Sequence, residues 1–170
     1  MNQYMTHTLP PHSTTWIYQS NRLLTDSEAL EIKDKAKQFA KQWTAHKMDV
    51  AGDGDVLYNL FVVLMADEQV TGVSGCSIDA SVHFIKSLER DYHLSFFTVG
   101  NIAYLLDGKA HLCSLKEFRS RIATGALPDD TLVFENMLSQ KQQLTDAWIK
   151  PYKESRLTRV HVPEPLPFTL

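Results

Sequence analysis

The sequence lacks long apolar runs, a strongly basic half and a cysteine framework. Its longest apolar run, 60–66, is far shorter than the roughly 20 residues that cross a bilayer, and residues 1–7 are too polar for a signal peptide. A net charge of −3, with neither half of the chain strongly basic, argues against a nucleic-acid surface. Lys33, Lys37 and Lys41 form a like-charged row, which we interpret as a solvated helix face and not as a basic patch, because acidic residues are interspersed with it. The two cysteines, Cys76 and Cys113, are expected to be reduced thiols. We therefore expect a cytoplasmic protein that binds neither membranes nor nucleic acids.

Motifs that identify common enzymes and metal proteins are also missing. There is no Gly-x-Ser-x-Gly elbow, and the seven histidines and two cysteines form no His-x-x-x-His or Cys-x-x-Cys pair. The Gly-Asp-Gly-Asp stretch at 52–55 lacks the later ligands of a calcium loop. It also precedes a strand pattern, whereas a dinucleotide-binding glycine loop opens a helix. We therefore expect no metal and no cofactor.

Apolar residues make up 44% of the 170 positions, enough for a substantial core. A capping-box pattern at 25–28 predicts a first helix, and helical spacing places the following residues on its inner face: Ala29, Ile32, Ala36, Phe39, Ala40 and Trp43. A second helix is predicted after Cys76, with these residues inward: Ile78, Val82, Ile85, Leu88 and Tyr92. Strand composition marks four further segments: Trp16–Gln19, Lys47–Ala51, Val56–Met65 and His93–Val99.

The predicted order of strands and helices in the first half of the chain, 1–98, is therefore β-α-β-β-α-β. The second and third strands are expected to join through a turn at 52–55, and the third to be buried on both faces. This element order is that of the ferredoxin-like split β-α-β motif. It predicts a ferredoxin-like α+β unit, although element order alone leaves the strand order of the sheet open.

The second half, 99–170, predicts a hairpin-helix-strand-helix unit. The hairpin turns at Asp107-Gly108, and its helix is capped by Ser114 and ends at Gly125. A strand at 131–134 and a last helix from about residue 139 through Trp148 follow, and a proline-containing tail at 160–170 is expected to be extended. The two units are expected to pack together as one body, because no Gly/Ser linker separates them.

The start of the second helix is the candidate chemical site. An apolar strand leads through a short loop to Cys76, and free N–H groups at a helix start stabilise a thiolate. Asp79 could act as a base or orient a partner, His83 lies one turn further, and the neighbours Ser74, Gly75 and Ser77 are candidate binding residues. The alternatives are a buried structural cysteine, an acid that favours the helix dipole, and an ordinary Asp79–His83 surface contact.

Three segments, 16–19, 74–79 and 131–136, resemble an uncharacterised family of small proteins from Bacteroidetes-type bacteria, and the resemblance covers nearly the whole chain. Members of that family are often described as ABC transporter ATPases. Such an ATPase needs a glycine-rich phosphate loop ending in Gly-Lys-Ser/Thr, which this sequence lacks. We therefore expect no ATPase activity, and the resemblance implies no assigned function.

Residues 103–134 resemble, more weakly, the GYF-type peptide-binding fold. The resemblance rests on the hairpin, on the 114–118 segment (Ser-Leu-Lys-Glu-Phe), on Gly125 and on the strand that follows. It implies proline-rich ligands. The Gly-Pro-aromatic signature of that fold is replaced here by Leu112-Cys113.

The sequence therefore leaves three functional hypotheses. The leading one is a binding or interaction protein without catalysis, whose partner is an unidentified protein or small molecule and whose open sheet edges favour a homodimer. The alternative is a thiol-dependent enzyme or redox protein that uses Cys76, with Asp79 and His83 as neighbours. The third is a proline-peptide module whose own tail, Pro163–Pro167, is either its ligand or a partner's.

Overall fold

The computed structural model describes residues 9–45, 48–49, 51–67, 75–97 and 100–160. In chain order the elements are β1 (Thr14–Gln19), α1 (Asp26–Gln42), β2 (Thr44–Ala45), β3 (Met48–Asp49), β4 (Ala51–Leu57), β5 (Phe61–Asp67), α2 (Gly75–Tyr92), β6 (Asn101–Leu106), β7 (Lys109–Ser114), α3 (Leu115–Ala123), β8 (Leu132–Phe134), α4 (Lys141–Asp146) and β9 (Ile149–Pro151). Two 3₁₀ turns, Tyr152–Glu154 and Arg156–Thr158, follow. The predicted α+β class is confirmed.

Two antiparallel sheets carry the fold. The first has the strand order β1-β5-β4, the second has the order β7-β6-β8-β9, and β2 pairs with β3 as a separate ribbon. Both β1 and β4 run antiparallel to β5, so they run parallel to each other and α1 connects them across the sheet.

Strand β5 is buried on both faces, as predicted, because its alternate side chains enter two different cores. Val62, Leu64 and Ala66 face the helices and join a core that includes Ile32 and Ala36 of α1 and Ile85 and Leu88 of α2. On the opposite face, these β5 side chains contact the second sheet: Phe61, Val63 and Met65. The first sheet therefore lies between the two long helices and the second sheet.

The second sheet also has two covered faces. One packs on the first sheet through Ala103, Ala110 and Phe134, together with Trp148. The other is covered by α3, and the following residues form that third core: Tyr104, Cys113, Phe118, Leu127 and Val133. The layers therefore run helices, first sheet, second sheet, α3.

The predicted capping box at the start of α1 is confirmed. The Thr25 hydroxyl accepts a hydrogen bond from the Glu28 amide (3.2 Å), and the Glu28 carboxylate accepts one from the Thr25 amide (2.8 Å). Arg22 donates to both oxygens of the same carboxylate, at 2.9 and 2.7 Å. These contacts, the Arg22 hydrogen bonds first, lower the pKa of Glu28 from 4.5 to about 2.

We expect Glu28 to contribute stability that depends on pH. Because its pKa is lower in the folded than in the unfolded chain, the contribution is complete above the unfolded value and is lost as pH falls towards about 2. The urea concentration at the unfolding midpoint, measured from about pH 6 to pH 2, should be higher for wild type than for Glu28→Gln, and this difference should disappear as the pH falls. Asp34→Asn, at an exposed acid of the same helix, is the control. If its difference in midpoint from wild type depended on pH as strongly as that of Glu28→Gln, this account would be contradicted.

The predicted turn at 52–55 is wrong, because these residues lie inside β4. A Cβ on Gly54 would stand 2.8 Å from both Cβ and the carbonyl oxygen of Ala36, so glycine serves here for a close approach of strand and helix. The chain turns instead at residues 58–60, where Tyr58 and Asn59 have φ of 56° and 50°. The single strand predicted at 56–65 is therefore wrong in its bounds, because this turn divides it between the end of β4 and the start of β5. The carboxylate of Asp55, predicted to lie in a turn, is buried and pairs with Lys33 at 2.7 Å.

The strand predicted at 93–99 is also wrong for residues 93–97, which contain no strand; residues 98–99 lie outside the described part. His93, with φ 52°, ends α2 in the left-handed region. The Glu89 carboxylate then accepts hydrogen bonds from the Phe96 amide (2.6 Å) and the Ser95 hydroxyl (3.4 Å). Because a side chain takes the amide that a strand would use, the described residues do not complete the four-stranded ferredoxin-like sheet. The strand predicted at 47–51 is present as β3 and the start of β4, with Lys47 and Val50 outside the described residues.

The second half follows its predicted order with one shortened helix. Asp107 and Gly108 have φ of 51° and 73°, as a two-residue hairpin turn requires, and Ser114 caps α3 as predicted. The last helix ends at Asp146 and not at Trp148, because the chain turns to form β9, a strand that the sequence did not predict. The tail at 161–170 lies outside the described residues.

Candidate binding site

Part of the candidate cysteine site is placed by the structure. Gly75, Cys76 and Ser77 lie in the first turn of α2, as predicted, and Ser74 lies outside the described residues. The proposed thiolate chemistry of Cys76 stays a prediction.

Asp79 and His83 are both exposed on α2. His83 Nδ1 lies 2.8 Å from the main-chain carbonyl oxygen of Asp79, so this contact joins the imidazole to the helix backbone. Ile78, predicted to face inward, is 42% exposed, whereas Ser81 is fully buried and donates to the Ile78 carbonyl at 2.7 Å. The inner face of α2 is therefore rotated from the predicted one, and it carries Ser81, Ile85 and Leu88.

The two cysteines should differ in reactivity. Burial, and then the nearby Glu117 carboxylate, raise the pKa of Cys113, so a smaller fraction is thiolate at a given pH. We expect iodoacetamide at about pH 8 to label Cys113 slowly in the folded protein and quickly after unfolding, whereas a thiolate-stabilising helix start would make Cys76 the faster site. Peptide mass spectrometry measures both rates in one sample. Equal slow labelling of both cysteines would remove the thiol-enzyme hypothesis.

A cavity of about 490 Å³ lies where the β4–β5 turn approaches the β6–β7 turn, beside the start of α1. We call it the turn cavity. Its described lining consists of Leu23, Leu24, Asp26, Val56, Tyr58, Asn59, Gly108, Lys109 and Ala110. Four aliphatic side chains and the Tyr58 ring line it together with an acid, an amide and a lysine, so the wall is polar and apolar in about equal measure.

Hydrogen bonds join the β4–β5 turn to the start of α1. The Leu24 amide donates to the Asn59 carbonyl (2.7 Å), and the Ser20 amide donates to the Leu60 carbonyl (2.9 Å). The Asn59 side-chain amide also donates to the Asp26 carboxylate at 2.6 Å. One wall of the turn cavity is therefore held by both main-chain and side-chain contacts.

Tyr58 occupies a conformation that is unusual for an aromatic residue. Its φ of 56° lies in the left-handed region, where glycine and asparagine are favoured. Its ring packs edge-on against Phe134 (5.0 Å between centroids) and Trp148 (5.7 Å). We infer that this packing offsets the backbone cost and fixes the position of the turn beside the cavity.

A second concave region of about 350 Å³, the amide groove, lies between the two sheets near Gln19 and Asn136. Its polar groups bond to one another: Asn136 donates to Gln19 (2.9 Å), and Gln19 donates to the Asn101 carbonyl (2.9 Å). The buried Glu135 carboxylate accepts from both the amide (2.6 Å) and Nε (3.0 Å) of Arg156. Because these groups already satisfy one another, the polar end of the groove is structural. The turn cavity is the larger of these two concavities and has Lys109 in its lining, so we take it as the candidate site.

Comparisons of the chain with family models, with curated proteins and with solved structures gave no match. The resemblances to the uncharacterised family and to the GYF-type fold therefore stay predictions. Within the described ranges, no group of three or more His, Cys, Asp and Glu side chains is arranged to hold a metal ion. None of the helices in the described part of the chain combines the length and apolar character that crossing a bilayer requires.

Sequence reasoning missed the turn cavity. Its walls come from three segments, 23–26, 56–59 and 108–110, which no spacing pattern connects. The one signal available was Lys109, which directly follows the Asp107-Gly108 turn and is therefore placed at a hairpin end. The described lining of the turn cavity contains none of the predicted site residues.

Proposed function

We propose that this protein is a binding protein without catalysis, and that it holds a small molecule in the turn cavity. The observation that carries the proposal is the cavity itself, whose wall combines apolar surface with about as much polar surface. Ligand sites of this kind typically measure about 300–1,000 Å³, and the volume of about 490 Å³ lies within that range.

The composition of the lining favours binding over catalysis. Its described residues include no cysteine, histidine, serine or threonine, so they contain no Ser-His or Cys-His pair of nucleophile and base. The wall is also pre-organised, because the turn is bonded to the segment before α1 and packed on the aromatic core. Pre-organised sites bind with a smaller entropy loss than sites that must first be ordered.

A variant that fills the cavity tests the proposal. Leu23 lines the cavity and is 45% exposed, so Leu23→Trp should narrow the site without disturbing a core. Leu30→Trp, at a 66% exposed position of α1 outside the lining, is the matched control. In a thermal-shift screen of small fragments, compounds that stabilise wild type should also stabilise Leu30→Trp and lose their effect on Leu23→Trp. Equal stabilisation of both variants, or no stabilising compound at all, would contradict the proposal.

The proposal takes the protein to be cytoplasmic and a homodimer, as its sequence predicts. Support for dimerisation comes from the sheet edges, since β4 and β7 each have a single neighbouring strand among the described residues. A ferredoxin-like origin of the first unit is consistent with α1 crossing between parallel β1 and β4. Light scattering after size-exclusion chromatography tests the dimer, and a strict monomer across concentrations would remove it.

A further inference from the structure

We infer that the turn cavity selects a small monocarboxylate with an apolar body, whose anionic group pairs with Lys109. The inference rests on the proposed function, because it names the ligand class of the same cavity.

The position of Lys109 is the first argument. It lines the cavity and is the first residue of β7, directly after the turn at Asp107 and Gly108. That turn has both residues at positive φ, a geometry that holds the two strands in fixed register, with Lys109 opposite Leu106. The backbone that carries the ammonium group is therefore fixed relative to the cavity wall.

The second argument is charge. Within the described part of the chain, Lys109 has no salt bridge, whereas Asp26, the acid of the lining, already accepts a hydrogen bond from Asn59 at 2.6 Å. Asp26 is also the first residue of α1, where the helix dipole favours a negative charge. The negative charge of Asp26 is therefore stabilised within the protein. The ammonium group of Lys109 is the charge in the lining with which an anionic ligand would pair.

The wall supplies the rest of the ligand class. Leu24 and Ala110 are buried, and Val56 and the Tyr58 ring are half-buried, so the body that contacts them should be apolar and of about one ring or a short chain in size. An aromatic or aliphatic acid matches this lining, because its apolar body would contact the apolar side chains and its carboxylate would pair with Lys109.

The test compares three probes with the same ring and different charge: 3-phenylpropanoate, 3-phenylpropanamide and 3-phenylpropylamine. Each is titrated into the ¹⁵N-labelled full chain, and binding is followed through the amides of Leu24, Asn59 and Lys109. We expect the carboxylate to bind about tenfold more tightly than the amide, as one charge-assisted contact provides, and the amine to bind most weakly. Added salt should weaken binding of the carboxylate and leave binding of the amide unchanged.

Substitutions distinguish the effect of Lys109 on ligand binding from the effect of the protein's overall charge. Lys109→Gln should abolish the preference for the carboxylate over the amide, and Lys109→Arg should retain it. Lys116→Gln, at an exposed lysine of α3 outside the lining, is the charge-matched control and should behave as wild type.

The outcomes separate the inference from the proposed function. Binding in the cavity without a carboxylate preference, or a preference that survives Lys109→Gln, overturns the carboxylate inference and leaves the binding function standing. Failure of all three probes to shift the cavity amides overturns the carboxylate inference, and a fragment library without any binder to the cavity overturns the binding function as well.

Discussion

Trp148→Ala should lower the free energy of unfolding by about 3 to 5 kcal/mol, the range found for removing a large buried aromatic side chain. Trp148 is fully buried, and its ring centroid lies 5.0 Å from that of Phe61 and 5.1 Å from that of Phe134. Phe61 belongs to the first sheet and Phe134 to the second. The substitution should therefore remove packing that both sheets share.

Loss of a hydrogen bond adds to this cost. Trp148 Nε1 donates to Asn136 Oδ1 at 3.0 Å, and the same Asn136 donates to Gln19 of β1. Trp148→Phe should keep much of the ring packing but lose this bond, so its effect should be smaller than that of alanine. Met137→Ala, at a 79% exposed position, is the control and should change stability by less than about 0.5 kcal/mol.

Urea unfolding followed by both tryptophan fluorescence and circular dichroism measures these effects. Because the two sheets share a core, the two signals should give one coincident transition for wild type and for the variants. Separate transitions, or a loss below about 1 kcal/mol for Trp148→Ala, would contradict a shared core.

Gly54→Ala should destabilise the protein by about 3 kcal/mol, near the upper end of typical overpacking costs. The new Cβ would stand 2.8 Å from the carbonyl oxygen of Ala36 and 2.9 Å from its carbonyl carbon. These are backbone atoms of α1, so the clash is relieved only by moving the helix away from β4.

Gly100→Ala is the matched control for this substitution. Apart from its two chain neighbours, no atom of the described residues lies within 4 Å of a Cβ built at Gly100, so alanine should be neutral there or slightly stabilising through the unfolded chain. Denaturation midpoints of the two variants give the comparison. If Gly54→Ala were as stable as Gly100→Ala, the close packing of α1 on β4 would be wrong.

The parts of the fold that sequence predicted correctly depend on local hydrogen bonding. The capping box of α1 needs only residues 25–28, and the hairpin turn needs only Asp107 and Gly108, so each motif is complete within a few residues. Strand β5 was predicted as doubly buried because its apolar run is continuous. In each case, the information lies within the segment that forms the structure.

The errors arise where a distant element decides the outcome. Glycine serves both turns and close approaches, and only the position of Ala36 on α1 shows that Gly54 serves the second. The aromatic residues at 96–97 have strand composition, but the Glu89 carboxylate bonds to the Phe96 amide and holds a loop instead. Composition at a segment does not reveal which side chain from another element will reach it.

The same distinction between local features and features set by distant elements applies to the candidate site. Sequence placed Cys76 in the first turn of a helix, because the helix pattern and its start are local. It could not place Asp26, Asn59 and Lys109 around one cavity, since they come from α1, the β4–β5 turn and β7. Their approach depends on how the two sheets stack, and no spacing in the chain records that.

The most direct test of a small-molecule binding function is a screen of a fragment library against the ¹⁵N-labelled full chain, read by amide chemical shifts. The account predicts that binding fragments shift the amides of Leu24, Asn59 and Lys109, which lie on three sides of the turn cavity. Saturable shifts confined to residues outside that lining, or no binding fragment in the library, would contradict it.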